Sequence, residues 1–551
     1  KDAILHTVRR LKIWSFLIVD AKKYYLKENV YVEPLINNWY AWPNLIPPFQ
    51  YAMYMTRTHM RLMKSFIKNY KLHILGNQNK TMAGGGEFVD LSETHVQDVQ
   101  RLLDDLESQR HFIEISEAIE ELNGLLIEHT DGTSLEVLYE KVPEPLKGFV
   151  ELNMDAYHNP GFRLIEGLIY NSSYYDTGLQ TVSLGLLEDD TKRPFVLSTP
   201  RLPDDKHLHI KQPFASKFWD KLFSARTNPL SLEEIELLFG DSSNIGQLDK
   251  MSLFTTDKPV IHDRIAESEG GVRITYTGHA GLIIETDKVS ILVDPVISSV
   301  NSENRGISFS FADLPDTIDY VCITHNHSDH VHIETLLQIR HKIKNVLVPK
   351  NNGGSLLDPS LKLILTQLGF NVREMDDMEN IQVADGIITS VPFLGEHGDL
   401  NIRSKTGWFF NLLDKRIYAG ADSANLEPRM YRHIHQITGD LDVMAIGMEC
   451  VGAPFTWLYG AMITEKVSNK IKQSRRLNGV DCRTAIQMLE IFKAKKVLIY
   501  ALGLETWLGY FMGLDYQDDS EQIVQSSQFL DHCKGLDIPA KRLMGKYEVN
   551  I

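Results

Sequence analysis

Hydrophobic and polar residues follow two different patterns along the chain, and the change falls near residue 270. Before this point, apolar residues recur mainly at the three- and four-residue spacing of amphipathic helices. After it, short apolar runs are bounded by glycine, proline and aspartate, which is typical of β-strands. We therefore predict two domains, an N-terminal one over residues 1–268 and a C-terminal one over residues 269–551.

The N-terminal domain is predicted to be mixed and helix-rich. An aromatic loop over 38–48 either packs a bend in the chain or forms a binding surface. Ser231 and Glu234 form a capping box that opens a short helix, which ends at Gly240. The triple glycine over 84–86 lacks the strand and the lysine of a phosphate loop, so it is interpreted as a flexible turn. Longer helices are predicted over 6–26, 49–75 and 94–126.

The C-terminal domain is predicted to consist of strands that lead into turns rich in polar residues. One amphipathic helix is expected over 332–343. The predicted strands cover 272–276, 282–286, 289–293, 320–323, 345–349, 387–391, 416–419 and 496–502. Together with the N-terminal half, this order of elements indicates the α+β class.

Composition excludes several classes of function. The chain is 43% hydrophobic and 24% charged, as in ordinary globular proteins. No run of eighteen apolar residues occurs, so we expect no membrane-spanning segment. The formal net charge of -16 argues against a nucleic-acid partner. The cysteines form no C-x-x-C pair, so we expect free thiols and a reducing, cytoplasmic compartment; they are Cys322, Cys450, Cys482 and Cys533.

A histidine loop follows the strand predicted over 320–323. Its sequence is Thr324-His325-Asn326-His327-Ser328-Asp329-His330. On an extended loop, His325 and His327 point the same way and can reach one metal ion, while Asp329 and His330 can reach a second. The alternative is a histidine-rich surface loop without a metal. The spacing favours a two-metal site.

Two carboxylates at the ends of later strands are further candidates. Glu396 follows the strand at 387–391, and Asp422 follows the strand at 416–419. Either residue alone is best interpreted as an ordinary turn acid. Beside a histidine loop, both are predicted to be metal ligands, and Asp422 can bridge two ions because a carboxylate has two oxygens to share.

These motifs resemble the metallo-β-lactamase superfamily over most of the C-terminal half. The matching features are the histidine loop, Asp422, Thr277-Gly278-His279-Ala280-Gly281 and Val293-Asp294-Pro295. The resemblance implies an αβ/βα sandwich with a dinuclear site along one edge. It is specific for the fold and the metals, but it leaves the reaction open.

Two departures from the hydrolases of this superfamily change the predicted chemistry. Glu396 and His397 are adjacent where hydrolases usually supply a histidine, and either residue can bind. The last strand carries Tyr500 about where hydrolases have their final histidine. The site is thus richer in oxygen ligands, which favours iron. With these departures, residues 393–400, 418–422 and 500–508 are similar to the diiron β-hydroxylases of chloramphenicol biosynthesis.

This second resemblance implies a substrate, partners and ligands. The substrate would be an aminoacyl thioester on a carrier domain of a nonribosomal peptide synthetase, hydroxylated at the β-carbon with O2 and an external electron donor. The N-terminal domain would form a homodimer. Glu396 and Asp422 would be the catalytic residues, and Glu396 the ligand that shifts. One iron would take His325, His327 and Glu396, the other Asp329 and His330, with Asp422 bridging.

Other interpretations remain open from the sequence. The site can also belong to a dinuclear zinc or manganese hydrolase of a phosphodiester or lactone, with Asp329 or His397 moving protons. A binding protein with a vestigial site is a third hypothesis, disfavoured because every principal ligand position is filled. The aromatic stretch over 449–459 either lines a substrate channel or packs in the core. Arg475 and Arg476 are expected to be a solvated pair, with a phosphopantetheine contact as the alternative.

Overall fold

The structure is a computed structural model, and several sequence predictions fall outside the part that it describes. These are the domain boundary at residue 268, the triple glycine over 84–86 and most of the helix predicted over 6–26. The described residues are 22–78, 88–189, 193–240, 243–246, 248–260, 271–301, 303–304, 306–513 and 516–551. Within them, no helix has both the length and the apolar character needed to cross a membrane.

The helices of the N-terminal half largely follow the sequence prediction. Ser231 N donates to Glu234 Oε2 at 2.8 Å and Glu234 N donates to Ser231 Oγ at 3.2 Å, so the capping box is confirmed. A π-helical turn at Met55–His59 joins the first two helices. The helices are Pro48–Tyr54, Met60–Gln78, Val96–Ser108, Arg110–Glu128, Glu166–Tyr170, Lys217–Ser224 and Leu232–Gly240.

Strands precede these helices, and here the sequence prediction is wrong. The helix predicted over 6–26 ends in a β-strand in its described part, and two further strands follow before residue 41. The strands of this half are β1 (Lys23–Leu26), β2 (Val30–Ile36), β3 (Trp39–Tyr40), β4 (Val150–Met154), β5 (Pro160–Leu164), β6 (Gln180–Leu186), β7 (His207–Lys211), β8 (Leu230–Ser231), β9 (Ser243–Ile245) and β10 (Phe254–Thr255). They form sheets in the orders β3-β2-β6-β7-β9, β10-β1-β8 and β4-β5.

The C-terminal half contains two seven-stranded sheets. Their orders are β16-β15-β14-β13-β12-β11-β24 and β17-β18-β19-β20-β21-β22-β23. The strands are β11 (Arg273–Gly278), β12 (Gly281–Glu285), β13 (Ser290–Val293), β14 (Ile318–Cys322), β15 (Ile343–Pro349), β16 (Val372–Met375), β17 (Asn380–Val383), β18 (Gly386–Val391), β19 (Gly407–Leu412), β20 (Lys415–Ala419), β21 (Val443–Gly447), β22 (Val497–Tyr500), β23 (Ala540–Arg542) and β24 (Tyr547–Asn550).

The two sheets face each other, and helices cover their outer faces. Buried residues of both sheets, such as Ile284 and Phe410, form one apolar core between them. This is the predicted αβ/βα sandwich. The predicted helix over 332–343 is shorter, because its α-helical part is Ile333–Ile339. The other helices are Leu361–Gln367, Pro428–Thr438, Thr456–Tyr459, Asn469–Ser474, Cys482–Phe492, Gly509–Met512 and Glu521–Gly535.

The N-terminal half lies against the helical face of the first sheet. Arg340 Nη1 donates to Phe214 O at 2.6 Å, and Arg226 Nη2 donates to Gln338 Oε1 at 2.6 Å. A buried ion-pair network joins the halves nearer the histidine loop, where Arg193 Nη2 lies 2.9 Å from Glu33 Oε1 and 2.7 Å from Glu334 Oε2. The helix Ile333–Ile339, which follows the histidine loop, is therefore tied to the N-terminal half.

Strand direction gathers the candidate ligands at one edge of the sandwich. Strands β20, β21 and β22 are parallel, and β18 runs in the same direction because it pairs antiparallel with β19, which pairs antiparallel with β20. Their carboxyl ends lead to Glu396, Asp422 and Glu449, and β22 ends at Tyr500. The histidine loop follows β14 in the facing sheet. The topology thus brings these acids, which are far apart in the sequence, to the same edge of the sandwich as the histidine loop.

Candidate metal centre

Asp294 contacts the histidine loop through hydrogen bonds to Thr324 and His330. This carboxylate is fully buried after β13 and accepts hydrogen bonds from Thr324 N at 2.8 Å and from the Thr324 hydroxyl. Its Oδ2 lies 2.8 Å from His330 Nδ1. A carboxylate on one imidazole nitrogen leaves the other nitrogen free as an unprotonated metal ligand. His330 Nε2 is therefore directed towards the site.

The six predicted metal ligands all come together in the structure. Donor atoms of His, Asp and Glu side chains form three groups, within each of which the atoms lie no more than 4.8 Å apart. The first two groups share His325, and the last two share His330. The groups are His325, His327 and Glu396; His325, His330 and Asp422; and His279, Asp329 and His330.

Asp422 lies between the two parts of the site. Its Oδ2 is 3.0 Å from His330 Nε2 and 3.7 Å from His325 Nε2. Glu396 lies on the other side of His325, with Oε1 2.7 Å from His327 Nδ1. This arrangement supports Asp422 as the bridging acid and Glu396 as a ligand of one ion.

Unsatisfied polar atoms show that the site suits metal ions. His325 Nε2, Glu396 Oε2 and Asp422 Oδ1 are buried and have no hydrogen-bond partner in the described part of the chain. Buried polar atoms without partners are costly, so such a convergence indicates cations. Three imidazoles and three carboxylates form a mixed nitrogen and oxygen donor set of the kind that holds iron. The residues present therefore fit two iron ions.

The pKa values of the site reflect the same crowding. Burial, with the neighbouring histidines, lowers the pKa of His325 well below its usual range. Burial raises the pKa of Glu396 to about 7. For His330 burial acts to lower the pKa, but the carboxylates of Asp422 and Asp329 raise it well above its usual range. Glu396 and His330 thus tend to hold protons in the metal-free site. A bound metal cation would displace these protons.

Tyr459 contacts both His327 and His397, and the two histidines differ in their distance from the other candidate ligands. The Tyr459 hydroxyl lies 2.8 Å from His327 Nε2 and 2.9 Å from His397 Nδ1. His397 Nε2 is buried without a partner, but His397 belongs to none of the three ligand groups, whereas Glu396 belongs to one. Of the two adjacent residues that the sequence left open, the geometry supports Glu396 as the ligand.

Tyr500 and Gly447 shape the turn that carries Asp422. The Tyr500 hydroxyl accepts a hydrogen bond from Ala421 N at 3.0 Å. Ala421 has φ 44°, which is an unusual conformation for a residue with a side chain. A side chain at Gly447 would begin 2.6 Å from Asp422 Oδ1. Tyr500 therefore supports the turn before Asp422, and Gly447 leaves room for the carboxylate.

His279 is a site residue that sequence reasoning did not assign. Its Nε2 lies 2.9 Å from Asp329 Oδ2, and its backbone N donates to Glu505 Oε1 at 3.1 Å. His279 has φ 47° in the turn between β11 and β12. The sequence signal for this residue is the Thr277–Gly281 motif, one of the features that resemble the metallo-β-lactamase superfamily.

A cavity of about 500 Å³ opens onto the metal site. Asp329, Glu396 and Asp422 form its metal-facing end, and Glu449 lies on its wall. Burial, followed by the charges of Asp422, Asp329 and Glu396, raises the pKa of Glu449 well above its usual range. Part of the 449–459 stretch lines this cavity, while Phe455 and Tyr459 are buried in the core. Both interpretations of that stretch are therefore correct in part.

The two arginines at 475 and 476 hold loops beside the cavity. Arg475 Nε donates to Gly398 O at 2.6 Å, and its guanidinium lies over the Phe455 ring. Arg476 Nε donates to Gly452 O at 2.7 Å. Both arginines are half-buried, so the expected pair is only partly solvated, and each side chain also holds a neighbouring loop.

Comparison with known families matches both halves of the chain. A model described as the diiron non-heme beta-hydroxylase N-terminal domain matches residues 25–259. A model of the beta-lactamase superfamily domain matches residues 290–453. Each half is thus similar to a described domain family.

Two full-length relatives and one short match complete the comparison. The chain is 33% identical to the 4-amino-L-phenylalanyl-[CmlP-peptidyl-carrier-protein] 3-hydroxylase of Streptomyces venezuelae, over 95% of this chain and 98% of that protein. It matches the crystal structure of CmlA, a diiron β-hydroxylase from Streptomyces venezuelae, with TM-score 0.87 over 96% of this chain and 100% of that one, at 33% identity. A metal-dependent hydrolase of Rhizobium johnstonii is 40% identical over 63 residues, which is 11% of this chain and 24% of that protein.

Proposed function

The chain belongs to the diiron β-hydroxylase family, and from this premise we propose its substrate and the roles of the residues at its metal centre. The family resemblance predicted from the sequence is confirmed, and the protein is an oxygenase. The proposed reaction is hydroxylation at the β-carbon of an amino acid held as a thioester on a nonribosomal peptide synthetase carrier domain. O2 would be the co-substrate, and an external donor would supply electrons.

The observation that carries the proposal is the set of buried donor atoms without partners at one edge of the sandwich. His325 Nε2, Glu396 Oε2 and Asp422 Oδ1 converge there. In this proposal one iron is held by His325, His327 and Glu396, the other by Asp329 and His330, and Asp422 bridges them. His279 would orient Asp329 through its 2.9 Å contact.

Two iron ions bound here would supply the reduction of O2 and the oxidation of an unactivated C–H bond. The chain's own residues would keep this chemistry in place. Asp294 fixes the orientation of His330, and Tyr459 fixes that of His327. Glu396 has one oxygen against His327 and one without a partner, so it is the carboxylate best able to change its binding mode. The apolar cavity wall would exclude water from the reacting carbon.

The substrate class is inferred from the relative and from the cavity. The relative's name describes a 3-hydroxylase that acts on an aminoacyl group carried by a peptidyl carrier protein. Position 3 of an amino acid is its β-carbon. A cavity of about 500 Å³ is within the range of small-molecule sites and accommodates one aminoacyl group.

The hydrolase alternative is not favoured. The hydrolase match covers only 11% of this chain, whereas the hydroxylase match covers 95%. Tyr500, which the sequence resemblance places about where hydrolases have their final histidine, has its hydroxyl engaged with Ala421 N. The site therefore retains the oxygen-rich ligand set from which iron was predicted.

The assembly and compartment remain predictions within this proposal. We propose that residues 1–268 mediate a homodimer, that residues 269–551 form the catalytic domain, and that the enzyme acts in the cytoplasm. Sedimentation velocity of the full chain, compared with a chain lacking residues 1–268, tests the first point. A monomeric full chain at micromolar concentration would contradict it.

A single-turnover experiment tests the proposed reaction. Iron-loaded protein is chemically reduced and mixed with O2 and a carrier domain loaded in turn with each amino acid of a panel that includes 4-aminophenylalanine. Mass spectrometry of the released amino acid should show the gain of one oxygen atom from 18O2 for at least one member. Fully iron-loaded protein that oxidises no member of the panel would contradict the proposal.

A further inference from the structure

We propose that Glu449 is the binding site for the α-ammonium group of the carrier-bound amino acid, an inference that rests on the proposed function. The carboxylate lies on the wall of the metal cavity, beside the metal-facing end formed by Asp329, Glu396 and Asp422. Glu449 would thereby select aminoacyl groups over acyl groups and place the β-carbon at the metals.

Strand topology fixes Glu449 next to Asp422. Glu449 follows β21 and Asp422 follows β20, and these strands are parallel neighbours. Gly447 N donates to Ala421 O at 2.7 Å, which ties the two loops together just before the acids. Gly479 N donates to Glu449 O at 2.8 Å from the other side. The backbone of Glu449 is therefore anchored, and its side chain can act as a fixed point in the cavity.

The Glu449 carboxylate is not used by the protein itself. Among the described residues it accepts no hydrogen bond and joins no ion pair, and it falls outside the three groups of candidate metal ligands. An acid on a cavity wall without a protein partner is suited to a cationic ligand group. Metal ligation is a less economical explanation, since the three groups of candidate ligands are formed without Glu449.

The cavity lining also contains two basic residues, Lys472 and Arg476, and Arg476 Nε is engaged with Gly452 O. Lys472 also lines a neighbouring cavity of about 470 Å³ that contains none of the metal ligands. The carboxyl groups of the lining are Asp329, Glu396 and Asp422 at the metal-facing end and Glu449 on the wall beside them.

The substrate's chemistry matches this distribution. An aminoacyl thioester has a free α-amino group, which is largely protonated near neutral pH. That nitrogen is separated from the β-carbon by a single carbon atom. Holding the ammonium group on Glu449 therefore restricts the β-carbon to a small volume beside Asp422, without any contact to the amino-acid side chain. Val451, Leu477 and Met512 are apolar residues of the wall and would contact that side chain.

Removing the amine from the substrate tests this inference. The amino acid that the single-turnover panel identifies is loaded on the carrier domain, and a second carrier receives the same acyl group without its amine. Dissociation constants of both carriers are measured on the metal-free protein by fluorescence anisotropy, and kcat/KM on the iron-loaded protein. The variants are Glu449→Gln, which keeps the shape, and Glu490→Gln, an exposed acid on helix Cys482–Phe492 that serves as control.

Wild-type protein and Glu490→Gln should prefer the aminoacyl carrier by about 10- to 100-fold in both measurements, which is the usual worth of a charge-assisted hydrogen bond. Glu449→Gln should discriminate by less than about threefold and retain its iron. Unchanged discrimination by Glu449→Gln, or loss of iron from it, would overturn the assignment while leaving the proposed function intact. Wild-type protein that oxidises no aminoacyl carrier would overturn both.

Discussion

Replacing Tyr459 with phenylalanine should weaken metal binding without touching a predicted ligand. The Tyr459 hydroxyl lies 2.8 Å from His327 Nε2 and 2.9 Å from His397 Nδ1, and all three side chains are buried. His327 Nδ1 is directed at Glu396 and is the atom available to a metal. Its Nε2 then carries the proton and donates to the tyrosine oxygen, whose own proton goes to His397.

The size of the effect follows from the groups left without partners. Tyr459→Phe leaves a buried N–H of His327 and a buried nitrogen of His397 unsatisfied, at about 1–3 kcal/mol each. In the metal-free protein His327 can change tautomer and recover part of this loss, so only a fraction appears in metal affinity. We therefore expect affinity at the His327 ion to fall about 10- to 100-fold, or roughly 1.4–2.8 kcal/mol.

A competition titration measures this change. Metal-free protein is titrated anaerobically with Fe²⁺ against a chelator of known affinity, and both stepwise constants are fitted. Tyr170→Phe is the matched control, because the buried Tyr170 hydroxyl has no hydrogen-bond partner in the described part of the chain. The control should bind both ions as the wild type does. A Tyr459→Phe variant that binds Fe²⁺ as tightly as the wild type does would refute the orienting role of Tyr459.

Three further changes test other parts of the account. Glu396→Ala should bind only one tightly held iron per chain, whereas His397→Ala should keep two. Iron analysis after gel filtration measures the iron content of both variants. Loss of iron only from His397→Ala would show that the strand-end ligand is misassigned. Because the pKa of Glu396 is raised from 4.5 to about 7 in the folded protein, its contribution to metal-free stability is full below pH 4.5 and is lost as the pH rises through about 7. Iron affinity should increase over the same interval as the metal displaces that proton, and pH-independent urea unfolding and iron binding would contradict this reasoning. Arg193→Met leaves the buried carboxylates of Glu33 and Glu334 without this partner and should lower the free energy of unfolding by about 3–5 kcal/mol in urea titrations; a loss below about 1 kcal/mol would show that the network is not structural.

The C-terminal fold could be predicted because its strands are short apolar runs that end at turns. Strands β13, β14 and β15 are parallel neighbours in a sheet covered on both faces, and the carboxyl-terminal part of each strand is a short buried apolar run. The polar turns that follow these strands are easy to recognise because they interrupt apolar runs. The hydrophobic and polar pattern of the sequence therefore predicted both the fold and the candidate ligands.

The N-terminal strands could not be predicted from local pattern alone. All seven residues of β2 are buried, including Glu33, and such a run does not distinguish a strand from a buried helix. The charge of Glu33 is balanced by Arg193 and by Arg201, whose Nε donates to Glu33 Oε2 at 2.7 Å. These partners lie 160 and 168 residues away in sequence. Only the folded chain shows why an acid is tolerated there.

The same limit applies to the residues that support the metal ligands. Four of the predicted ligands lie within the six consecutive residues from His325 to His330, so their spacing alone indicated two metals. The partners of these residues are remote, because Tyr459 lies 132 residues from His327 and His279 lies 50 residues from Asp329. Sequence spacing carries no information about such contacts. It did mark Glu396 and His397 as alternatives, and the structure then places the Glu396 carboxylate, but neither nitrogen of His397, in a group of candidate ligands.

Metal content and the electronic spectrum of the protein, purified aerobically from iron-supplemented cells, test the central claim most directly. An oxygenase with the proposed ligand set should contain two irons per chain. It should also show the near-ultraviolet absorption of a bridged ferric pair, which bleaches on chemical reduction. Two zinc ions per chain, a featureless spectrum and turnover of a phosphodiester would contradict the account.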